Sequence, residues 1–379
     1  MRKLKSIWIF FITAFIFAHQ GFSQGSVAKV DTGAIDGVHY KILFPENWKG
    51  KLVVFAHGYE FMGSVPRQSQ NAQFANLMKP FLARGFAVAA SDYSMQGYAI
   101  IEGVDNSEAL RRFFIKTYGK PDSTFIVGAS MGGGIALSTI EHFGQYYDGC
   151  LPLCPLSSPS YLQARKEFDL YATFNGLFPG IADSLAQIFD LSRSKPELKP
   201  NEIGTRINNI KKLISEKDST LGIAFAKHFD LKFNDLSFVL FFDENVLRDI
   251  AQKAHGNPFD NTNTVYSGFP DDWETNIKAE RLAGTADPEV LFGKYDRTGN
   301  IEKPVVLMHT LYDQLIPPRY GVVNFENMVH EHGKDKYFTV KYTNGQGHCS
   351  FTPEQIGEAF DELRIWTKTG IKARPGALQ

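Results

Sequence analysis

A serine stands among glycines in residues 123–137, which read STFIVGASMGGGIAL. Gly128, Ser130 and Gly132 fit the pattern G-x-S-x-G, between a β-branched run and a run typical of a helix. On a sharp strand-to-helix turn this pattern presents the serine hydroxyl above the sheet. Its glycines allow the strand and the helix to approach closely. We therefore predict that Ser130 is a nucleophile; a structural serine in a tight turn is the alternative.

A serine hydroxyl is a weak nucleophile unless a base takes its proton and an acid holds that base. His348 lies in NGQGHCSF, a glycine-rich stretch between the last predicted strand and the last predicted helix. Asp313 lies in HTLYDQLIPP, directly after the preceding predicted strand. We predict that His348 is the base and Asp313 the acid. Glu302 and Asp335 are the alternative acids.

Acyl-transfer chemistry also requires two N–H donors for the negatively charged oxygen of the intermediate. Met131 follows Ser130 at the start of a predicted helix, where partial positive charge favours an anion. The stretch HGYEFMG follows a buried strand and supplies the second candidate, the backbone N–H of Tyr59. We expect His57 and Gly58 to shape that turn.

Alternating strand and helix patterns must position these residues. Such an order predicts a mostly parallel sheet with helices on both faces. The predicted strands are 38–45, 51–58, 86–93, 124–130, 149–156, 303–310 and 337–343. The predicted helices are 68–84, 104–118, 131–143, 319–333 and 353–368.

The alternation stops at residue 158 and resumes near residue 300. The intervening region is mostly helical in pattern and rich in Phe, Asp and Asn. Because ligands of parallel sheets bind at the strand ends, we interpret 158–300 as a cap over the site; an inert decoration is the alternative. The predicted organisation is a core in two parts, 24–157 and 301–379, with this insertion between them.

The N-terminal segment has the pattern of a secretory signal peptide. Basic residues open the chain, an apolar run covers 7–18, and the small residues Gly21 and Ser23 precede Gln24. We predict cleavage after Ser23 and a secreted or periplasmic protein without a stable membrane anchor. An uncleaved anchor helix is the alternative.

The composition argues against charged macromolecular partners. The 379 residues have a formal net charge of −1, with 40 basic and 41 acidic side chains. This balance provides no basic excess for nucleic acid and no polybasic run for anionic lipid. The spacing of metal-ligating residues suggests no metal site, and the chemistry requires no organic cofactor. No pattern indicates an oligomeric state.

The chain has three cysteines, Cys150, Cys154 and Cys349. Export permits a disulfide, but an odd number leaves at least one thiol free or paired outside the chain. Cys150 and Cys154 fall in one predicted strand, which would hold their Cα atoms too far apart to pair. We expect buried free cysteines.

The motifs HGY, GASMGG, LYDQLIPP and GQGHCSF, in this order, resemble the α/β-hydrolase fold superfamily over about 37–156 and 300–370. The stretch GNPFDNTNTVYSGF is similar to secreted bacterial hydrolases described as hydrolase or prolyl-oligopeptidase-like. The resemblance implies Ser130 as nucleophile, Asp313 as acid and His348 as base. The sequence HGYE departs from the HGGG motif of one lipase and esterase branch.

These patterns favour a carboxylic-ester hydrolase acting on a small-molecule ester. A serine peptidase acting on a peptide-like substrate is the second hypothesis, with Glu102 or Arg319 as anchors for a peptide terminus. A lipase would be activated at an oil–water interface. A binding protein on the same scaffold would require an incomplete set of Ser130, Asp313 and His348.

Overall fold

The computed structural model describes residues 27–65, 67–70, 72–193 and 200–378. The predicted signal peptide, 1–23, lies outside these residues. In the described part of the chain, no helix is both long and apolar enough to cross a membrane.

Within these residues, nine strands form one sheet in the order β1-β2-β4-β3-β5-β6-β7-β8-β9. β1 pairs antiparallel with β2, and β2 pairs antiparallel with β4; every other neighbouring pair is parallel. The strands are β1 (Val27–Ile35), β2 (Val38–Pro45), β3 (Lys51–Ala56), β4 (Ala87–Ser91), β5 (Ser123–Ala129), β6 (Gly149–Leu153), β7 (Val305–Tyr312), β8 (Phe338–Gln346) and β9 (Gly376–Ala377).

Helices cover both faces of this sheet, which explains why its central strands are apolar on both sides. On one face, α1 and α11 pack together through Phe81 and Phe360, whose ring centroids are 5.0 Å apart. The other face carries α2, α3 and α10, with Phe114, Leu137 and Phe325 in its core. The helices are α1 (Ala72–Leu82), α2 (Ile100–Tyr118), α3 (Met131–Phe143), α10 (Asn324–Glu331) and α11 (Pro353–Thr369).

In the described residues between β6 and β7, where the sequence predicts an insertion, there are six helices. Their own apolar core is rich in phenylalanine and continues into Met131 and Ile135 of α3, so the insertion packs on the core at the start of that helix. The helices are α4 (Ser160–Leu177), α5 (Leu185–Ile188), α6 (Pro200–His228), α7 (Phe233–Ala254), α8 (Asp272–Lys278) and α9 (Glu289–Phe292).

The predicted mostly parallel sheet, with helices on both faces and a helical insertion between strands, is confirmed. β1 and β9 are the two strands that the sequence analysis did not predict. β1 is a largely exposed edge strand and β9 has two residues, so neither has the continuous apolar run of the central strands.

Candidate active site

Ser130 connects β5 to α3 at a sharp turn. Its backbone has φ 61° and ψ −125°, a conformation that residues other than glycine seldom adopt. Backbone hydrogen bonds fix the turn. The Ser130 N–H donates to the Leu153 carbonyl at 2.9 Å, and the Ser130 carbonyl accepts from the N–H groups of Gly133 at 2.9 Å, Leu156 at 3.2 Å and Gly134 at 3.3 Å. The hydroxyl is thereby held at the amino end of α3.

The two glycines of the motif have a steric reason. A Cβ atom on Gly128 would overlap the Gly132 carbonyl oxygen, and one on Gly132 would overlap the Ala56 carbonyl oxygen of β3. Strand, turn and helix are therefore packed backbone to backbone. This contact explains why the sequence has G-x-S-x-G here.

The structure brings the three sequence-predicted residues together in one hydrogen-bonded chain. Nε2 of His348 lies 2.8 Å from Oγ of Ser130. Nδ1 of His348 lies 2.8 Å and 3.0 Å from the two carboxylate oxygens of Asp313. Because an ionised carboxylate only accepts, Nδ1–H donates to Asp313 and Nε2 is left to accept from the serine hydroxyl.

Asp313 follows β7 and is 1% exposed. Its Oδ1 accepts the backbone N–H groups of Leu315 and Ile316 at 2.9 Å and 2.8 Å. Burial opposes ionisation, but the hydrogen bonds from His348 and Ile316 outweigh it and hold the pKa of Asp313 below its usual value. The side chain of Gln314 accepts the His348 backbone N–H at 2.9 Å, which fixes the loop that bears the imidazole.

The expectation of free cysteines is wrong for two of the three. Cys154 and Cys349 form a disulfide, with Cα atoms 5.4 Å apart and 195 residues between them in sequence. β6 ends at Leu153, so Cys154 lies outside the strand in which the sequence analysis placed it. Cys150 is free and buried inside β6, and burial raises the pKa of its thiol well above the usual value.

The disulfide also bears on metal binding. Among the described residues, one group could offer three metal-ligating atoms within 4.8 Å of one another: Cys154, His348 and Cys349. Both sulfurs are joined in the disulfide and neither is a thiolate, the form that ligates metals.

The turn after β3 lies directly against Ser130. A Cβ atom on Gly58 would be 3.3 Å from both the Ala129 carbonyl oxygen and Cβ of Ser130. His57 is buried, its ring stacks on that of Tyr93 at 3.9 Å, and desolvation lowers its pKa. Its side chain is therefore part of the packing under the turn.

A small pocket with a cavity volume of about 30 Å³ opens at Ser130. Tyr59 and Met131, the predicted oxyanion residues, both line it. The complete lining is Tyr59, Tyr98, Ser130, Met131, Leu156, Glu167, Phe242, Val246, Leu315 and Ile316. Four of these residues come from the insertion or lead into it, so the insertion forms part of the wall.

Glu167 is the charged residue of this pocket that the sequence analysis missed. It lies in α4, in the stretch QARKEFDLY, where a Lys–Glu pair is indistinguishable by pattern from a solvated helix face. In the structure its side chain is buried and lines the pocket beside Ser130. Only the packing of the insertion on the core reveals it.

The alternative acids and the candidate anchors from the sequence analysis do not line this pocket. Each of them lies close to an oppositely charged or ionisable partner elsewhere. The pairs are Glu102 with Lys253 at 2.5 Å, Arg319 with Asp230 at 3.5 Å, Glu302 with Lys334 at 3.2 Å, and Asp335 with His330 at 3.1 Å.

No family model matches the chain. It is similar to an o-phthalyl amidase from Xanthobacter agilis, with 21% identity over 407 aligned residues covering 88% of this chain and 86% of that protein. Among solved structures it is similar to Est1E from Butyrivibrio proteoclasticus with bound ferulic acid, at 15% identity and a TM-score of 0.46, covering 89% of this chain and 99% of that one. A 2,6-dihydroxy-pseudo-oxynicotine hydrolase has 12% identity and a TM-score of 0.46, covering 92% and 71%.

The fold follows from the topology of this chain itself. Two antiparallel strands lead into the parallel order β4-β3-β5-β6-β7-β8. The G-x-S-x-G turn follows β5, Asp313 follows β7 and His348 follows β8, so all three lie at the carboxyl ends of parallel strands. Serine, aspartate and histidine occur in the chain order that accompanies the G-x-S-x-G turn in α/β-hydrolases. The chain therefore has an α/β-hydrolase fold with a helical insertion between β6 and β7.

Proposed function

We propose that this protein is an extracytoplasmic serine hydrolase that cleaves carboxylic esters through an acyl-enzyme on Ser130. The observation that carries the proposal is the hydrogen-bonded chain from Ser130 through His348 to the buried carboxylate of Asp313. A nucleophile, a base and an orienting acid in this relation are the components of acyl transfer.

In the proposed reaction, Ser130 Oγ attacks the ester carbonyl while Nε2 of His348 takes the hydroxyl proton. The tetrahedral intermediate collapses as the imidazolium gives this proton to the departing alcohol. Water then attacks the acyl-enzyme with His348 again as base, and Ser130 and the carboxylic acid are released. Asp313 keeps the imidazole in the required tautomer and stabilises its protonated form.

We assign the oxyanion site to the backbone N–H groups of Met131 and Tyr59. The Met131 N–H belongs to the first turn of α3, where N–H groups lack an intrahelical acceptor and the helix dipole favours negative charge. Tyr59 follows Gly58, where an added Cβ atom would lie 3.8 Å from Oγ of Ser130. Both residues line the pocket that contains the serine hydroxyl.

The apolar lining of the pocket favours a substrate whose acyl or alcohol group is largely apolar. Met131, Leu156, Phe242, Val246 and Leu315 form its apolar walls. Burying such a group contributes about 25 cal/mol per Å² of apolar surface removed from water.

An amidase or serine peptidase is the second candidate, because the same acyl-enzyme chemistry cleaves amides. The similarity to an o-phthalyl amidase supports it, as does the carboxyl group of Glu167 in the pocket. A binding protein on this scaffold is less well supported, since Ser130, His348 and Asp313 are all present and hydrogen-bonded.

The extracytoplasmic location is proposed from the N-terminal sequence alone. The basic start, the apolar run and the small residues before Gln24 support an exported protein. Mass spectrometry of the protein purified from its native host should give a mature chain beginning at Gln24. An intact N-terminus on the functional protein would contradict cleavage at this position.

The proposal is tested by steady-state hydrolysis of p-nitrophenyl acetate, butyrate and laurate, and of aminoacyl p-nitroanilides. We expect ester turnover in the wild type and its loss in Ser130→Ala. Ser215→Ala, an exposed serine of α6, is the matched control and should retain full activity. Dominant anilide turnover would favour the peptidase. Equal rates in the wild type and in Ser130→Ala would contradict the proposal.

A further inference from the structure

The pocket at Ser130 contains a buried charge that the acyl-transfer chemistry does not use. Glu167 is 8% exposed and lines the pocket. Its Oε2 is buried and has no hydrogen-bond partner among the described residues. An unsatisfied buried carboxylate oxygen is costly, so its retention beside a reactive serine calls for a ligand.

A second buried acid lies near enough to Glu167 to interact with it electrostatically. Asp243 of α7 is 3% exposed, and its Oδ2 likewise has no hydrogen-bond partner in the described part of the chain. Desolvation and the neighbouring Asp243 charge raise the pKa of Glu167 well above its usual value, and desolvation raises the pKa of Asp243 to about 7. The two carboxyl groups therefore compete for ionisation.

Lys166 supplies the positive charge near this pair. Its Nζ donates to the Leu315 carbonyl at 3.1 Å and lies 5.6 Å from the centroid of the Tyr320 ring. It lowers the pKa of both acids. Ionising both acids would leave the group of three with one uncompensated negative charge, which burial disfavours and a bound cation would balance.

We propose that Glu167, supported by Asp243, binds a protonated amine of the substrate in the pocket that contains Ser130. A protonated amine would donate to the unpartnered carboxylate oxygen and neutralise the remaining charge. The aromatic rings of Tyr59, Tyr98 and Phe242 in the same pocket provide further favourable surface for a cation. The substrate class is then an ester or amide whose acyl or alcohol part carries a primary or secondary amine.

This inference rests on the proposed function, so the probes are a matched pair of esters. p-Nitrophenyl 6-aminohexanoate ends in an ammonium group where p-nitrophenyl heptanoate ends in a methyl group of similar size. We expect Glu167→Gln to lower the ratio of kcat/KM for the cationic over the neutral ester by about 10-fold or more, the loss of a charge-assisted hydrogen bond. Glu216→Gln, an exposed glutamate of α6, is the matched control and should leave the ratio unchanged.

A binding measurement tests the amine site without catalysis. Hexylammonium should raise the midpoint of thermal unfolding of the wild type more than 1-hexanol does, because it binds the folded state alone. Glu167→Gln should abolish this difference. The wild-type comparison of the two additives stands even if the variant folds poorly.

The outcomes separate the two proposals. An unchanged kcat/KM ratio in Glu167→Gln, with ester hydrolysis still dependent on Ser130, overturns the amine site and leaves the serine hydrolase intact. Equal stabilisation by hexylammonium and hexanol also overturns it and indicates apolar binding only. Selective stabilisation by hexylammonium without Ser130-dependent turnover of either ester supports the amine site and contradicts the ester hydrolase.

Discussion

The disulfide between Cys154 and Cys349 joins the end of β6 to the residue that follows His348. Leu153, next to Cys154, accepts the Ser130 backbone N–H at 2.9 Å. The same covalent bond therefore fixes the imidazole loop relative to the serine turn. Sγ of Cys349 lies 3.8 Å from Nε2 of His348, so a displacement of this sulfur would change the packing around the imidazole ring.

Reduction of this disulfide should weaken both the fold and the activity. A bridge that closes 195 residues stabilises a protein by about 2–5 kcal/mol, largely by restricting the unfolded chain. We expect dithiothreitol to lower the free energy of unfolding, measured by urea denaturation, by this amount. We also expect kcat for p-nitrophenyl acetate to fall, because the loop that bears His348 becomes less fixed.

Two variants control for this effect. The double variant Cys154→Ala/Cys349→Ala should be destabilised and insensitive to the reductant, whereas Cys150→Ala should keep the full response. Three titratable thiols in the unreduced, denatured protein would show that the bridge is absent.

Glycine is usually less stabilising than alanine, but the backbone strain at Ser130 predicts the opposite order at this position. A non-glycine residue in a sparsely populated φ/ψ region costs about 1–3 kcal/mol, which glycine avoids. We expect Ser130→Gly to have a free energy of unfolding about 1 kcal/mol higher than Ser130→Ala, after the entropic cost of glycine. Both variants lack the hydroxyl, so the comparison isolates the backbone.

The same pair of substitutions on a regular helix gives the reference. At Ser215, exposed on α6, the glycine variant should be about 1 kcal/mol less stable than the alanine variant. Urea denaturation of the four proteins measures both differences. If the glycine variant is less stable than the alanine variant at both positions, the backbone at Ser130 is unstrained.

Much of the core could be predicted because its signals are local. The central strands are continuous apolar runs, and the sequence predicts the helix 131–143 with the bounds that the structure gives to α3. The positions of Ser130, Asp313 and His348 at strand ends follow from the same alternation. Parallel strands present their carboxyl ends at one edge, which brings these distant residues together.

The features that the sequence hid depend on packing between distant elements. Cys154 and Cys349 pair across 195 residues. The observed strand β6 ends at Leu153, before Cys154, whereas the predicted strand runs from 149 to 156. Glu167 and Asp243 lie on two different helices of the insertion, where no periodic pattern distinguishes a buried acid from a solvated one. Their proximity becomes visible only once α4 and α7 are placed.

Asp313→Asn should lower activity far more than stability. An amide in place of the carboxylate favours the wrong tautomer of His348 and cannot stabilise the imidazolium, so we expect kcat to fall about 10⁴-fold. Asp335→Asn, the alternative acid of the sequence analysis, is the control and should keep wild-type kcat. Similar losses in the two variants would contradict the assignment of Asp313.

Because the pKa of Asp313 is low, its carboxylate stabilises the fold only above a defined pH. A group whose folded pKa lies below its unfolded value of about 3.9 stabilises the fold above that pH. The contribution is lost as pH falls through the folded value. The part of the stability difference between wild type and Asp313→Asn that comes from the Asp313 carboxylate should therefore shrink below about pH 4.

The buried acid pair should have the opposite pH dependence. Burial raises the pKa of Asp243 to about 7, while the unfolded value is about 3.9. Between these values the folded state holds more protons than the unfolded state, so stability should fall as pH rises from about 4 to about 7. The groups that face Asp243 from α4 act in opposite directions: Glu167 competes with it for ionisation and Lys166 favours its charged form.

Asp243→Asn should remove much of this decline, because an amide does not titrate. We expect the variant to gain stability over the wild type with increasing pH, by up to about 4 kcal/mol at pH 8, as measured by urea unfolding at pH 5, 6, 7 and 8. Asp122→Asn, at an exposed aspartate, should follow the wild-type profile. A stability difference between wild type and Asp243→Asn that stays constant from pH 5 to pH 7 would mean that Lys166 outweighs desolvation and that Asp243 is already ionised without a ligand.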